Sequence, residues 1–367
     1  MKPCVSNEEC AVRCDDADAP SCTTIGKRYY HGDNGLTEND DKAKTSFQRA
    51  CIKKDPEGCY LLAVSFKEDI IASYTTACDG GWAWACTNLG VQYAQGKGVA
   101  ADPERARALA EKACKLEDSM ACSNLGMYLM NGSGGPKDLP RAITLSRGAC
   151  DADEGEACAR LAQMYDEGNG TAKDQVTARK IYIRACDLDA GCNNLGVMYD
   201  AGEGGDVDIE KAKEAFEKAC EKKSGLGCVN RARFWRDGRD GSTNRGEAAR
   251  LFARGCQLGE SEGCDELERV VSAMEKSCKK DAKECTNFGW VTENGIGMDA
   301  NAVAAAKLYE RACTAKAPVA CENLGKFHRD GGAGFTVDPE RALTYFDKAC
   351  KLSRKQACVL ATELRAK

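Results

Sequence analysis

No run of eighteen apolar residues occurs in this chain, so nothing in it is built to cross a membrane as a helix. CxxC spacing is absent and there are only two histidines, His31 and His328, which leaves a structural zinc short of ligands. A basic excess is also missing: the formal net charge is −5, whereas nucleic-acid binding needs a cationic footprint. No signal peptide is visible, and Met1-Lys2-Pro3 looks like a start residue set on a mature or truncated chain. No metal and no cofactor is expected.

Cysteine is what the chain has in excess, at 24 of 367 residues. So many thiols without metal-ligand spacing point to disulfides, and therefore to the periplasm, the cell surface or the secreted space. Cys4 and Cys10 stand apart and are expected to pair in an N-terminal cap over residues 1–22. Nine further pairs are eight residues apart: Cys14/Cys22, Cys51/Cys59, Cys78/Cys86, Cys114/Cys122, Cys150/Cys158, Cys220/Cys228, Cys256/Cys264, Cys313/Cys321 and Cys350/Cys358. Cys186/Cys192 is two residues shorter and Cys278/Cys285 one shorter.

From the second cysteine of one pair to the first of the next, six intervals are 28 residues and two are 29. Each predicts helix, glycine loop, helix. In Cys122 to Cys150, Gly132 is placed to stop the first helix and Asp138 to cap the second. Asp102-Pro103-Glu104 and Asp338-Pro339-Glu340 give the same start signal with proline at the first helical position. Two intervals are short: 59–78 reads as a shortened hairpin, while 264–278 fits either two stubby helices or one continuous helix. The expected fold is all-α, a right-handed superhelical solenoid of αα-hairpins, continuous over residues 23–367.

Which cysteines join is not fixed by sequence alone. Pairing across each hairpin would span 14 to 29 residues and orphan Cys14 and Cys358, whereas the short spacing varies only from six to eight. Disulfides tolerate a narrow Cα separation, so the less variable spacing is preferred, with each staple joining one hairpin to the next.

The segments ACTNLGVQYAQGKG (85–98), ACSNLGMYLMNGSG (121–134), GCNNLGVMYDAGEG (191–204) and ACENLGKFHRDGG (320–332) resemble the Sel-1-like repeat family. Within it, the chain resembles the cysteine-rich branch typified by the Helicobacter cysteine-rich proteins. The resemblance implies a superhelix of αα-hairpins, export from the cytoplasm and protein or peptide partners; some relatives are associated with penicillin binding and weak β-lactamase activity. The two short units and the Cys4/Cys10 pair depart from the pattern.

Counted from the second cysteine of a pair, positions zero, three, four and seven share one helical face and are expected to pack, as in Cys86, Leu89, Gly90 and Tyr93. Position two is asparagine in six repeats, Asn88, Asn124, Asn194, Asn230, Asn287 and Asn323. Position five includes Trp290, and position six carries Tyr128, Met164, Met198 and Phe234. Amides mixed with methionine and aromatics on an outward face suggest a peptide-binding groove on the concave side. The competing expectation is that the asparagines satisfy groups of their own repeat and that position six is half buried against a neighbouring hairpin.

Chemistry has little to stand on. Ser277-Cys278-Lys279-Lys280 matches SxxK, but without KTG or SDN, and its serine adjoins a stapled cysteine. A thiol redox role would need a low-pKa cysteine, which even, regular pairing disfavours. Glu38 to Asp41 lacks the ligand order of a calcium loop. The expected function is a binding scaffold without catalysis; a penicillin-recognising hydrolase or a thiol redox protein is the alternative.

Overall fold

A computed structural model describes every residue except Met1, Lys2, Ala17, Asp240, Ser242, Gly332, Ala333 and Lys367. The outer residues of the cap (1–22) and of the repeat array (23–367), and Gly332 of the fourth family-like segment, thus lie outside the described residues. The chain packs as two compact units, Met1–Ala190 and Gly191–Lys367. The first holds α1 (Asn7–Asp15), α2 (Ala19–His31), α3 (Asp40–Ile52), α4 (Pro56–Phe66), α5 (Ile70–Asp79), α6 (Ala83–Gln95), α7 (Pro103–Lys115), α8 (Ser119–Asn131), α9 (Leu139–Asp151), α10 (Gly155–Glu167) and α11 (Gln175–Asp187). The second holds α12 (Cys192–Ala201), α13 (Ile209–Glu221), α14 (Gly225–Asp237), α15 (Arg245–Gln257), α16 (Ser261–Lys280), α17 (Cys285–Asn294), α18 (Ala302–Thr314), α19 (Pro318–Asp330), α20 (Pro339–Lys351) and α21 (Lys355–Arg365). No β-strand occurs among the described residues beyond an isolated bridge at Phe335. The fold is an all-α array of hairpins.

Local chemistry sets each boundary. The first helix α8 begins where Asp118 accepts from the Met120 N–H and stops at Gly132, whose φ of 75° is left-handed and free of cost only without a Cβ. The second helix α9 starts where the Asp138 carboxylate accepts from the Arg141 N–H at 3.1 Å. Asp102, Asp174, Asp208 and Asp338 repeat that cap, with proline at the first turn in α7, α9 and α20.

Alanine lets the helices close up. Ala106, Ala113, Ala142, Ala178, Ala212, Ala305 and Ala342 are all completely buried on second helices. Opposite them, a Cβ on Gly196 would stand 2.6 Å from the Phe216 ring, so the ring fills the space a side chain would need.

The junctions are covalently closed. Cys51–Cys59, Cys78–Cys86, Cys114–Cys122 and Cys150–Cys158 join successive hairpins of the first unit, with Cα separations of 4.4 to 4.6 Å. Cys4–Cys10 and Cys14–Cys22 precede them. In the second unit Cys220–Cys228, Cys256–Cys264, Cys278–Cys285, Cys313–Cys321 and Cys350–Cys358 do the same. No cysteine among the described residues is free. On the chain-entropy model each loop of this size stabilises by about 2.5 kcal/mol.

The two short intervals resolve differently. Residues 59–78 keep a hairpin: α4 and α5 are joined by a turn in which Lys67 and Asp69 take left-handed φ values of 52° and 40°. Residues 264–278 do not. They form part of the single 20-residue helix α16, which carries Cys264 near its start and Cys278 near its end. One rod therefore replaces a hairpin between two staples.

Candidate functional site

First helices of adjacent hairpins touch one another: α2 with α4, α6 with α8, and α8 with α10 in the first unit, and α12 with α14 and α14 with α16 in the second. Of the described second helices, only α1 and α3 approach each other as closely. The first helices thus form the closer-packed layer of each unit.

Position six does not belong to that accessible face. Tyr128, Met164, Met198 and Phe234 are only 7, 0, 1 and 4 % exposed. The expectation that they receive a peptide's side chains is corrected here: they are core. The physical reason is that a first helix packs on its own second helix and also on the hairpin before it. Phe234, for example, meets Phe216 of the preceding second helix edge-on at 5.5 Å.

The asparagine column divides. Asn88 donates from Nδ2 to the Tyr74 hydroxyl at 3.4 Å, and Asn323 bonds the hydroxyl of Tyr309. Both tyrosines lie four residues before the first cysteine of the preceding staple. Burial, together with acceptance of its proton by the Glu293 carboxylate at 2.7 Å, pushes the Tyr309 phenol far up, so it remains a donor. Asn230 donates to Asn193 Oδ1 of the preceding first helix at 2.8 Å. Arg160, which replaces asparagine at position two, donates similarly to the Ser123 carbonyl and hydroxyl at 2.9 and 3.1 Å. These contacts stitch repeats together.

Asn124 and Asn287 are different. Ala110 and Met274 stand where a tyrosine would meet them, and both amides are half buried without a hydrogen-bond partner inside the chain. Asn194 is exposed on α12. Half-exposed Met127 lies one turn from Asn124, and half-exposed Trp290 one turn from Asn287. Trp290 and Asn287 both border Gly246 at the start of α15. For Asn88 and Asn323 the signal was in the sequence, a tyrosine 14 residues before the asparagine; Asn230 has Phe216 there and is engaged by Asn193 instead.

Loop acids add a second stitch. The Thr23 and Thr87 hydroxyls donate at 2.5 Å to Asp55 and Asp118, each the cap of the next first helix. At the same position on α19, Glu322 is 1 % exposed and accepts from Lys326 Nζ at 2.7 Å and from Arg354 Nε at 2.6 Å. Burial alone would raise its carboxyl; the two cations outweigh that and hold it below the ordinary glutamate range.

The remaining motifs fall into structural places. Ser277 sits in the last turn of α16 and accepts from Arg245 Nη1 at 3.1 Å, while Lys279 is paired with Glu275. His328 stacks on Tyr345 at 5.5 Å, and His31 is exposed beside Tyr30. Glu38 to Asp41 open α3, where Asn39 caps the helix and Asp40 and Asp41 face its positive end. No group of three metal-ligating side chains occurs among the described residues, and no described helix is long and apolar enough to cross a membrane.

Comparison with known proteins agrees with this architecture. The Xenopus laevis cytochrome c oxidase assembly factor 7A is 31% identical over 105 residues, covering 27% of this chain and 46% of its own. The Mus musculus cytochrome c oxidase assembly factor 7 is 33% identical over 91 residues, 21% of this chain and 39% of its own. The chain thus spans less than half the length of these curated relatives. Among solved structures, c5321, a protective antigen of uropathogenic Escherichia coli displaying an SLR fold, superposes with a TM-score of 0.60 at 21% identity. That match covers 98% of this chain and 82% of the antigen, and it shows a shared fold. The Sel1 repeat model matches residues 19–55, 85–118, 119–153, 155–189, 190–224, 287–316 and 318–353, well over half of the sequence, and the chain belongs to the Sel1 repeat family.

Proposed function

We propose that this chain is a protein-binding scaffold of an oxidising compartment, the periplasm or the cell exterior, that holds a peptide or partner segment along its layer of first helices. The disulfides and the lack of a free cysteine among the described residues support the compartment. Sel1 repeats support a protein partner. Residues 1–22 serve as the cap of the array.

One observation carries the binding surface. Asn124 and Asn287 are left without an internal hydrogen bond, each one turn from a half-exposed Met127 or Trp290. An amide that neither the core nor a neighbouring repeat uses is free to bond the backbone of an extended peptide, and the adjacent apolar side chain supplies contact area. Asn88, Asn230 and Asn323 act through the scaffold, because they are engaged within it.

The test is affinity capture from an envelope extract with the full chain as bait, followed by identification of captured peptides. Met127→Glu and Trp290→Glu should abolish capture of the principal partner while leaving the helical circular dichroism unchanged. Capture by both variants at the wild-type level would reject the groove.

A further inference from the structure

One repeat breaks the packing rule of its family of copies. Position three is Ile25, Leu62, Leu89, Leu125, Leu161, Leu195, Leu267, Phe288, Leu324 or Ala361 in ten first helices, and Arg231 in the eleventh. Arg231 is nevertheless only 6 % exposed. Its Nη1 is buried and has no hydrogen-bond partner, and its Nη2 stands 3.9 Å from Glu217, beyond hydrogen-bond reach. Its guanidinium lies over the Trp235 ring at 5.1 Å.

The arginine faces a cavity of about 170 Å³ between α13, α14 and α15, walled by Trp235 and Leu251 and reached also by Arg250 and Arg254. Arg250 is occupied, donating from Nε to both Glu247 oxygens at 3.0 Å. The Arg254 side chain makes no hydrogen bond or ion pair with the described residues. Two guanidinium groups therefore border one cavity without a bonded anion, while Glu217 and Glu221 stand exposed at its rim.

We propose that this cavity is an anion site that takes a carboxylate, either of a free small acid or of an acidic side chain on a partner peptide. A planar carboxylate fits the fork of one guanidinium and places its second oxygen toward the other. The volume matches the size of cavity that holds a ring of six heavy atoms, enough for a carboxylate and a short chain. The rim acids select by charge: they offset Arg231 and Arg254, so a singly charged group is accepted more readily than a phosphate dianion. The site is walled by α13 and α15 together with Arg231 and Trp235 of α14, and uses none of the position-two or position-five side chains.

Calorimetric titration of the full chain with butyrate, with butyramide as the uncharged control, tests it; a short peptide carrying one glutamate, with its glutamine counterpart, tests the second source. Saturable binding of butyrate, or of the glutamate peptide alone, is expected, with no binding of either neutral control. Arg231→Leu restores the repeat's own packing residue, and Arg254→Gln leaves the core untouched; each should weaken binding at least about tenfold. Absence of binding by both acids, or unchanged affinity in Arg254→Gln together with Arg231→Leu, would overturn the proposal. Equal affinity for inorganic phosphate would overturn the selection by rim charge.

Discussion

Glu322 offers the sharpest test of how repeats are held together. Its carboxylate is almost completely withdrawn from water and is bonded by Lys326 on its own helix and Arg354, the cap of the next first helix. The two cations are not similarly withdrawn, with side chains 39% and 38% exposed. Removing the anion leaves cations that water can solvate; removing the cations leaves a buried carboxylate that it cannot. Glu322→Gln should therefore cost about 2 kcal/mol, the range of one or two charge-assisted hydrogen bonds less the anion's own desolvation. The double change Lys326→Met with Arg354→Met should cost about 3–5 kcal/mol, as for a stranded buried charge. The sign with pH follows from the lowered carboxyl. The contribution is complete above the ordinary glutamate range and disappears as pH falls through the depressed folded value. Hydrogen exchange of α19 to α21 with denaturant titration reads the change locally, which a repeat protein requires. Equal losses in the two variants, or less than about 0.5 kcal/mol in both, would refute the asymmetry and with it the claim that this anion ties the last helix to the stack.

Other perturbations separate the remaining terms. Replacing Cys114 and Cys122 together by alanine should lower stability by about 2.5 kcal/mol without changing helix content, measured by the denaturation midpoint and circular dichroism. Glu117 lies in the junction turn at a φ of 65°. Glu117→Gly relieves a left-handed conformation of about 1 kcal/mol, offset in part by a looser unfolded chain, so a small rise in melting temperature is expected. Glycine at Ala110, which offers no more to Asn124 than alanine does, should destabilise α7 by about 1 kcal/mol, whereas Ala110→Tyr should cost capture if Asn124 is drawn into the scaffold.

The hairpins, their caps and the stops at glycine were legible because each is local chemistry: an acid that bonds two backbone amides, or a glycine at positive φ. The continuous rod α16 was legible in principle too. Leu267, Val270, Met274 and Cys278 are all buried and recur three or four residues apart, with no glycine or proline between them. Its short interval suited a broken hairpin equally, so length alone did not decide. Position six was misjudged because a helical wheel counts one packing face, whereas a first helix in a stack has neighbours on two sides. The fates of Asn88 and Asn124 depended on a residue 14 positions earlier on another helix: Tyr74 engages Asn88, and Ala110 leaves Asn124 free. Arg231 was visible as the lone charge in a column of aliphatic and aromatic residues, but its missing partner appears only once Glu217 is placed.

The most direct test of covalent stitching is the mass of the native protein after denaturation with a thiol alkylator, without reductant, followed by mapping of disulfide-linked peptides. The account predicts no alkylated cysteine and, at each described junction, a bond between cysteines seven or eight residues apart, such as Cys114 with Cys122. Extensive alkylation, or bonds that cross the hairpins, would contradict it.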